Sequence, residues 1–219
     1  CNLGAALEKK KLRSEAEVAY RTALEQDPSL AAAAYNLSLL YQESNRQREA
    51  LAVLTKIKEK CPNAKDLDRR LAQAYLDLKR YDKATEHIQR AIKKEPDNEA
   101  PYLLSASIHL ARGNESLAMQ DYEKVLELNP HNAEAHYRLG LVHQKAQRLG
   151  EAIEEWQDAI DINPKHKLAH YNLAVTLAMR QRYPMAWIYL KDAEKLGMKA
   201  DDFKKALERI YPEPPMPRS

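Results

Sequence analysis

Seven histidines are the residues of this chain with the most obvious capacity for metal chemistry. His166 and His170 lie four residues apart, a spacing that places two ring nitrogens on one face of a helix. A zinc site needs three or four ligands, and no cysteine or carboxylate completes a set around this pair. His136 lies 34 residues before His170, and His109 lies 34 residues before His143. This regular interval favours structural roles, so the sequence predicts no metal site and no cofactor.

Nucleophilic and acid–base chemistry has equally little support. The sequence has no serine in a nucleophile-elbow motif and no glycine-rich loop that could hold phosphate. Glu154 and Glu155 are adjacent, so on a helix they point in different directions. Cys1 and Cys61 form no CxxC motif, which argues against both a disulfide framework and a zinc site. We therefore expect a non-enzyme, and any chemistry of a larger parent protein would come from residues outside this chain.

The charge balance is close to even, with 35 basic and 32 acidic residues and a net charge of +3. The basic runs at residues 8–13 and 56–60 are short, and each contains a glutamate. Nucleic-acid binding needs a clustered basic face, so these runs indicate solvated helix faces and no nucleic-acid partner. No apolar run approaches the ~18 residues of a membrane span. A cytoplasmic location is favoured, while a periplasmic location, or membrane association through a missing N-terminal region, stays open.

The 34-residue interval extends through the whole chain, which indicates internal repeats. Three sets of residues show it most clearly: a proline, an alanine, and a position that holds only small side chains. The prolines are Pro28, Pro62, Pro96, Pro130 and Pro164. The alanines are Ala16, Ala50, Ala84, Ala118, Ala152 and Ala186. The small residues are Gly4, Ser38, Ala72, Ala106, Gly140 and Ala174.

Residues 133–166 show what one repeat must look like. Apolar and small residues recur at helical spacing in two segments separated by the short turn "QRLG", which predicts two antiparallel helices, A and B. Gly140 on helix A and Ala152 on helix B lack bulk, so the two backbones can approach closely. Trp156 fills the space beside this contact. The proline ends the repeat because it cannot continue helix B.

This pattern resembles the tetratricopeptide repeat (TPR) family over residues 1 to about 198. The small residue, the alanine, the proline and a large residue on helix B all fall in register, the last being Tyr20, Leu54, Ile88, Tyr122, Trp156 and Leu190. Departures occur at the early aromatic position of helix A, which is Tyr102 in one repeat but Ala34, Asp68, His136 and His170 elsewhere. The sixth repeat also has Met198 where proline is expected.

The resemblance implies an all-α fold, a right-handed α-solenoid of antiparallel helix pairs. We expect residues 1–211 to form a single array with repeats at about 1–30, 31–64, 65–98, 99–132, 133–166 and 167–198. A capping helix is predicted at 200–211, with Asp201 or Asp202 as its cap and an apolar stripe of Phe203, Ala206, Leu207 and Ile210. Residues 212–219 contain too much proline for a helix and predict an extended tail.

The family resemblance also implies a concave groove lined by the A helices, in which a protein or peptide ligand binds. The implied partner-binding residues are Tyr35, Asn36, Leu39, Arg70, Gln73, Leu103, Leu104, Ser107, Tyr137, Arg138, Leu141, Tyr171 and Asn172. Tyrosine and arginine are favoured anchors of partner sites, and the asparagines could bond the backbone of an extended peptide. The same residues could equally form a solvated helix face. No window of three repeats supplies the two lysines with which co-chaperone relatives hold a terminal carboxylate, so that clamp is not expected.

Two functional classes remain. The first is an interaction scaffold or adaptor, with self-association through the truncated N-terminal repeat or the Pro-rich tail as a variant. The second is a targeting or regulatory module of a larger enzyme whose catalytic domain lies outside this chain.

Overall fold

The computed structural model describes Gly4 and residues 12–213. Residues 12–213 contain twelve helices and no strand. The helices are α1 Arg13–Gln26, α2 Ala31–Glu43, α3 Gln47–Lys60, α4 Leu67–Asp77, α5 Tyr81–Lys94, α6 Glu99–Ala111, α7 Glu115–Leu128, α8 Ala133–Lys145, α9 Leu149–Ile162, α10 Lys167–Met179, α11 Tyr183–Lys195 and α12 Asp201–Ile210. None of these helices combines the length and apolarity that crossing a membrane would require.

The chain divides into two compact units, residues 1–114 and residues 115–219. In the first unit, α2 pairs with α3 and α4 pairs with α5, and each helix also packs on the next one along the chain. In the second unit, α8 pairs with α9 and α10 pairs with α11 in the same way. The predicted all-α class and antiparallel helix pairs are therefore confirmed. That all repeats form one continuous array stays a prediction.

The small residues lie at the contact between helices A and B, as predicted. All six alanines of the B-helix set are completely buried. Gly140 shows why the A-helix position must be small: a Cβ atom at this residue would lie 2.5 Å from Nε1 of Trp156. The Trp156 indole, itself fully buried, therefore packs directly on the backbone of α8. Close approach of the two backbones is what allows one indole to fill the hairpin.

Replacing Ala152 with leucine is expected to lower the free energy of unfolding by about 1–3 kcal/mol, because three more carbons must enter a fully packed contact. The measurement is the urea unfolding midpoint followed by circular dichroism. Ala206→Leu serves as the matched control, since Ala206 is an exposed alanine of the same unit. Equal midpoints for both variants would contradict close A–B packing at Ala152.

Each of the five hairpin turns that residues 13–213 contain has one residue in the left-handed backbone region. These residues are Asn45, Lys79, Gly113, Gln147 and Gln181, with φ between 57° and 79°. In each turn the following residue donates its N–H to a carbonyl five residues back, as Arg148 does to His143 at 2.9 Å. This hydrogen bond closes the C-terminus of the A helix as in the Schellman motif. The left-handed residue is thus a repeated feature of the backbone, and glycine occupies it in only one of these five turns.

The predicted terminal helix is present as α12. Leu207 is buried against the last hairpin and Phe203 is half-buried there, but Ala206 and Ile210 are exposed. The apolar stripe was therefore predicted too wide. The predicted cap was also wrong, because Ala200 occupies the N-cap position and makes no side-chain hydrogen bond, while Asp201 and Asp202 lie in the first turn.

The segment after α12 returns to the last hairpin. Trp187 donates its indole N–H to the carbonyl of Tyr211 at 3.0 Å, and the Tyr211 ring stacks on Tyr183 at 5.5 Å. Lys191 pairs with Glu213 at 2.6 Å. Residues 214–219 of the predicted tail lie outside the described residues, as do residues 1–3 and 5–11 of the predicted first repeat, including Cys1. The two predicted routes to self-association therefore stay predictions.

Candidate functional site

The predicted partner-binding residues lie on the A helices of both units, on α2, α4 and α6 in the first and on α8 and α10 in the second. Most of their side chains are half-buried. Leu39 and Arg138 are exposed, whereas Leu104 and Tyr137 are almost completely buried. The A helices thus present a mixed surface in which some predicted residues face solvent and others support them.

In the first unit, Tyr35 of α2 and Arg70 of α4 are brought together. The guanidinium of Arg70 lies 4.3 Å from the centre of the Tyr35 ring, within the range of a cation–π interaction. The Tyr35 hydroxyl donates to the backbone carbonyl of Lys65 at 2.7 Å, which fixes the ring. We call the surface formed by Tyr35, Asn36, Leu39, Arg70 and Gln73 the Arg70 face.

Arg70 carries its charge without a carboxylate partner. Its neighbour Arg69 pairs with Asp66 at 3.0 Å, but no ion pair to Arg70 forms among residues 12–213. The Nε atom of Arg70 is buried and also lacks a hydrogen-bond partner within that range. Burial, together with the charge of Arg69, lowers the pKa of Arg70 below its ordinary value. Arg70 is therefore a partly desolvated cation held in place by an aromatic ring.

Other members of the Arg70 face differ in how far they are already engaged. Gln73 donates to Asp77 at 2.7 Å, and Gln42 donates to the other oxygen of Asp77 at 2.9 Å. Asn36 makes no side-chain hydrogen bond to any described residue. Leu39 is 49% exposed, an unusual fraction for a leucine on a packed helix. Asn36 and Leu39 are thus available to a ligand beside Arg70.

The predicted partner-binding residues of α6 contribute to the packing of this helix more than to an exposed surface. Leu104 lies in the core cluster that includes Ile108 and Ala72. Ser107 donates its hydroxyl to the carbonyl of Leu103 on its own helix at 3.0 Å.

In the second unit, Tyr137 of α8 contacts two residues of the following repeat. Asn172 donates to the Tyr137 hydroxyl at 3.4 Å, and the His166 ring lies 4.5 Å from the Tyr137 ring. Tyr171 makes an edge contact with Phe203 of α12 at 5.8 Å. Leu141 packs against the core of this unit. The asparagines at equivalent positions therefore differ, because Asn172 is engaged where Asn36 is not.

The two arginines at the same repeat position also differ. Arg138 pairs with Glu134, one turn earlier on α8, at 2.5 Å. Burial would lower the pKa of Arg138, but the hydrogen bond that Arg138 donates to Glu134 and the negative charge of that carboxylate together leave the pKa raised. Arg138 is therefore neutralised within its own helix, whereas Arg70 is not.

At the early aromatic position of helix A, the tyrosine and two histidines that replace it make equivalent contacts. The Tyr102 hydroxyl donates to the carbonyl of Pro96 at 3.0 Å. His136 and His170 place Nε2 at 3.2 Å and 3.0 Å from the carbonyls of Pro130 and Pro164, respectively. These three side chains tie the start of their A helices to the preceding turn.

His166 and His170, which are four residues apart, are committed to different hydrogen bonds. Nδ1 of His166 accepts the backbone N–H of Ala169 at 3.2 Å and caps α10. Nε2 of His170 points to Pro164. The pair therefore does not converge on a common metal position.

A buried ionic cluster in the first unit was missed from the sequence. Asp68 of α4 and His87 of α5 are both almost completely buried, and Nδ1 of His87 lies 2.9 Å from Oδ1 of Asp68. Lys94 donates to the other oxygen of Asp68 at 2.6 Å. Tyr75 stacks on the His87 ring at 5.5 Å. Asp68 and His87 occupy the same repeat positions as His136 and Glu155, with acid and base exchanged.

A crevice of about 570 Å³ lies mainly between the B helices α1 and α3, and its lining includes Leu24, Val53 and Ile57. It shares no residue with the predicted partner-binding set. We do not assign the function to this crevice, because the charged side chains of its lining, such as Lys56 and Glu59, are exposed, unlike Arg70.

Known protein families match the segments that contain these helix pairs. A family described as "TPR repeat" matches residues 106–147, and two described as "Tetratricopeptide repeat" match residues 48–108 and 133–166. Together these matches cover more than half of the chain.

The chain is a tetratricopeptide repeat protein.

Solved structures agree with the family on the fold. A tetratricopeptide repeat protein from Parabacteroides merdae superposes with a TM-score of 0.75 at 16% identity, covering 94% of this chain and 81% of that one. YrrB, described as a TPR protein with an unusual peptide-binding site, superposes with a TM-score of 0.59 at 22% identity, covering 88% and 97%. At these identities the likeness establishes the TPR fold alone.

One curated relative is similar in sequence. The RNA polymerase-associated protein CTR9 of Saccharomyces cerevisiae is 35% identical over 88 residues. The match covers 39% of this TPR chain and only 8% of CTR9. This chain therefore corresponds to a small part of that much longer protein.

Proposed function

We propose that this TPR protein is an interaction scaffold that binds an extended segment of a partner protein on its A helices, with the Arg70 face as the principal contact. The family and its structural neighbours support a role in protein–protein interaction. YrrB is described as having a peptide-binding site, which makes a peptide ligand a reasonable expectation here.

The observation that carries the proposal is the state of Arg70. A partly buried cation without a carboxylate partner loses hydration without recovering it from the protein. A carboxylate supplied by a ligand would restore that interaction, and a charge-assisted hydrogen bond contributes about 1.5–3 kcal/mol. The Tyr35 ring already orients the guanidinium, so little side-chain entropy remains to be lost on binding.

The neighbouring side chains suit an extended peptide that carries an acidic residue. The Asn36 amide, which makes no hydrogen bond within the described residues, can pair with a peptide backbone. The exposed Leu39 offers an apolar contact one helical turn away. We therefore infer a ligand with an aspartate or glutamate flanked by an apolar side chain.

Selection from a displayed library of random peptides tests this proposal. The wild-type protein is expected to enrich acidic peptides, and Arg70→Glu is expected to weaken a selected peptide by about tenfold to a hundredfold. Arg138→Glu is the matched control, because it makes the same charge change at the equivalent position of another repeat. Since Arg138 is already paired with Glu134, its reversal should change affinity by less than about threefold.

Circular-dichroism melts of both variants establish that the array stays folded. Equal losses of affinity in the two variants would show a non-specific electrostatic effect. Selection of peptides without acidic residues, unaffected by Arg70→Glu, would overturn the role of the Arg70 face.

A second candidate is a targeting or regulatory module of a larger enzyme. The match to CTR9 favours this second candidate, because the matching segment of CTR9 lies within a much longer chain. Determining the complete natural coding sequence distinguishes the two candidates. A catalytic domain encoded in the same reading frame would support the enzyme module, and a reading frame without one would support the scaffold.

A further inference from the structure

Three side chains in the second unit form a cluster with metal-ligand chemistry. Nδ1 of His136 on α8 lies 2.8 Å from Oε2 of Glu155 and 3.9 Å from Oδ2 of Asp158, both on α9. One ligand atom from each residue lies within 4.8 Å of the other two. Ligand atoms around a tetrahedral ion with bonds of about 2.0–2.2 Å are about 3.3–3.6 Å apart, so the two measured distances lie on either side of this range.

The second nitrogen of His136 determines which ring atom is available. Nε2 lies 3.2 Å from the carbonyl oxygen of Pro130, which has no proton to give, so Nε2 must be the donor. Nδ1 lies at hydrogen-bond distance from Oε2 of Glu155, so in the metal-free protein it carries a proton, and a bound metal ion would replace that proton. A histidine that donates one N–H to a backbone carbonyl and offers the other nitrogen is the usual arrangement of a metal ligand.

The equivalent position of the first unit shows how the fold satisfies such a cluster without metal. There the acid Asp68 and the base His87 are exchanged, and the Lys94 ammonium lies 2.6 Å from the carboxylate. The residue equivalent to Asp158 is Arg90 in that repeat. In the second unit, no lysine or arginine among residues 115–213 lies within ion-pair distance of Glu155 or Asp158. The first cluster thus contains a lysine ammonium, whereas among residues 115–213 only the doubly protonated ring of His136, whose Nδ1 proton a metal ion can replace, offsets the two carboxylates of the second.

We propose that His136, Glu155 and Asp158 bind a divalent transition-metal ion of the zinc type. The ligands would be Nδ1 of His136 and one oxygen from each carboxylate, with water at the remaining position. Imidazole and carboxylate together suit Zn²⁺ and its first-row neighbours better than Ca²⁺ or Mg²⁺, which prefer oxygen alone.

The site is accessible from solvent. The Asp158 side chain is 58% exposed and lines a shallow depression of about 300 Å³, together with Glu154 and Asp161. Because Glu155 and Asp158 are anchored on adjacent turns of one helix, only side-chain rotations are needed to converge on an ion. The bound ion would join α8 to α9 and so stabilise this hairpin.

Isothermal titration of the tag-free protein with ZnCl₂ tests the proposal. One site is expected in the wild type, and Asp158→Asn and Glu155→Gln should each weaken it by at least about tenfold, which is the lower limit even for losing an outer-shell partner. Glu154→Gln is the matched control, since it removes the same charge from the same helix outside the cluster, and it should keep the affinity within about threefold. Because Asp158 is exposed, its variant should fold normally.

Two further readouts separate coordination from charge attraction. In ¹⁵N spectra of the histidine side chains, Zn²⁺ should leave His136 protonated at Nε2 and shift Nδ1, and Zn²⁺ should raise the melting temperature of the wild type but not of Asp158→Asn. Equal Zn²⁺ binding by all variants would overturn the proposal. So would a His136 ring that stays protonated on both nitrogens at saturating Zn²⁺, because the cluster would then be an ion pair that coordinates no metal. Peptide binding at the Arg70 face is independent of either result.

Discussion

Replacing Trp156 with alanine is expected to lower the free energy of unfolding by about 3–5 kcal/mol. The indole is fully buried, donates its N–H to the carbonyl of Tyr137 at 3.2 Å, and lies against Gly140. The completely buried Ala152 already sets the separation of α8 and α9, so the helices cannot close the cavity that the indole leaves. The loss therefore combines transfer of a large aromatic group, a residual cavity and one lost hydrogen bond.

Denaturant unfolding followed by circular dichroism measures this loss. Ile188→Ala is the control, because this large apolar residue of the same unit is 59% exposed and should change stability by less than about 0.5 kcal/mol. A Trp156→Ala midpoint close to that of the control would mean that the indole does not hold the hairpin together.

A double-mutant cycle with Gly140→Ala sharpens the test. In the wild type, the added Cβ would lie 2.5 Å from Trp156 Nε1, so we expect destabilisation by about 1–3 kcal/mol. In the Trp156→Ala background that overlap is gone, and alanine is favoured over glycine in a helix by about 1 kcal/mol. The same substitution should therefore change sign between the two backgrounds, which additive effects cannot produce.

The helix pairs were predictable because their cause is periodic in the sequence. Close packing demands a small side chain at the same places in every hairpin, and so the positions of Ala152 and Gly140 repeat every 34 residues. The left-handed turn residues repeat just as strictly, but Lys79 and Gln147 carry no side-chain signature of that conformation. Backbone geometry can repeat without residue identity, and this part of the fold was not visible in the sequence.

The candidate site was predictable only in outline. The repeat register placed Arg70 and Arg138 on equivalent positions of their helices, and the structure shows that their environments differ. Glu134, one turn before Arg138, is a possible partner visible in the sequence. Asp66 stands in the same relation to Arg70, but it pairs with Arg69 instead, from an N-cap position with φ of 67°. Local backbone conformation, which register does not specify, decides which arginine stays unpaired.

Replacing Asp68 with asparagine is expected to lower the free energy of unfolding by about 1.5–3 kcal/mol at pH 7, because the buried His87 ring loses its hydrogen bond to a charged carboxylate. The His87 contact at 2.9 Å should contribute most of this loss, since both side chains are nearly inaccessible. The Lys94 ammonium is 47% exposed, so solvent screens its share, and Lys94→Ala should cost less than about 1 kcal/mol. Asp77→Asn, the same change at an exposed site of α4, is the control and should have little effect.

The same cluster should make the stability of the first unit fall on acidification. Burial lowers the pKa of His87 below its ordinary value of 6.5, although the Asp68 hydrogen bond opposes this shift, while the nearby charges of Lys58 and Arg90 add to it. Burial would raise the pKa of Asp68, but the hydrogen bonds from Lys94 and His87 leave it below the ordinary value of 3.8. For both groups the folded state binds fewer protons than the unfolded state, so stability rises with pH.

The His87 contribution is therefore complete above about pH 6.5 and is lost as the pH falls below that value, and the Asp68 contribution is lost below about pH 3.8. Unfolding free energies of wild type and His87→Gln, measured between pH 8 and pH 5, isolate the first step, since other titrating groups cancel in the difference. The wild-type advantage should shrink towards pH 5. An advantage that grows as the pH falls would mean that His87 is buried as the imidazolium, and that the Asp68 carboxylate outweighs desolvation of the ring.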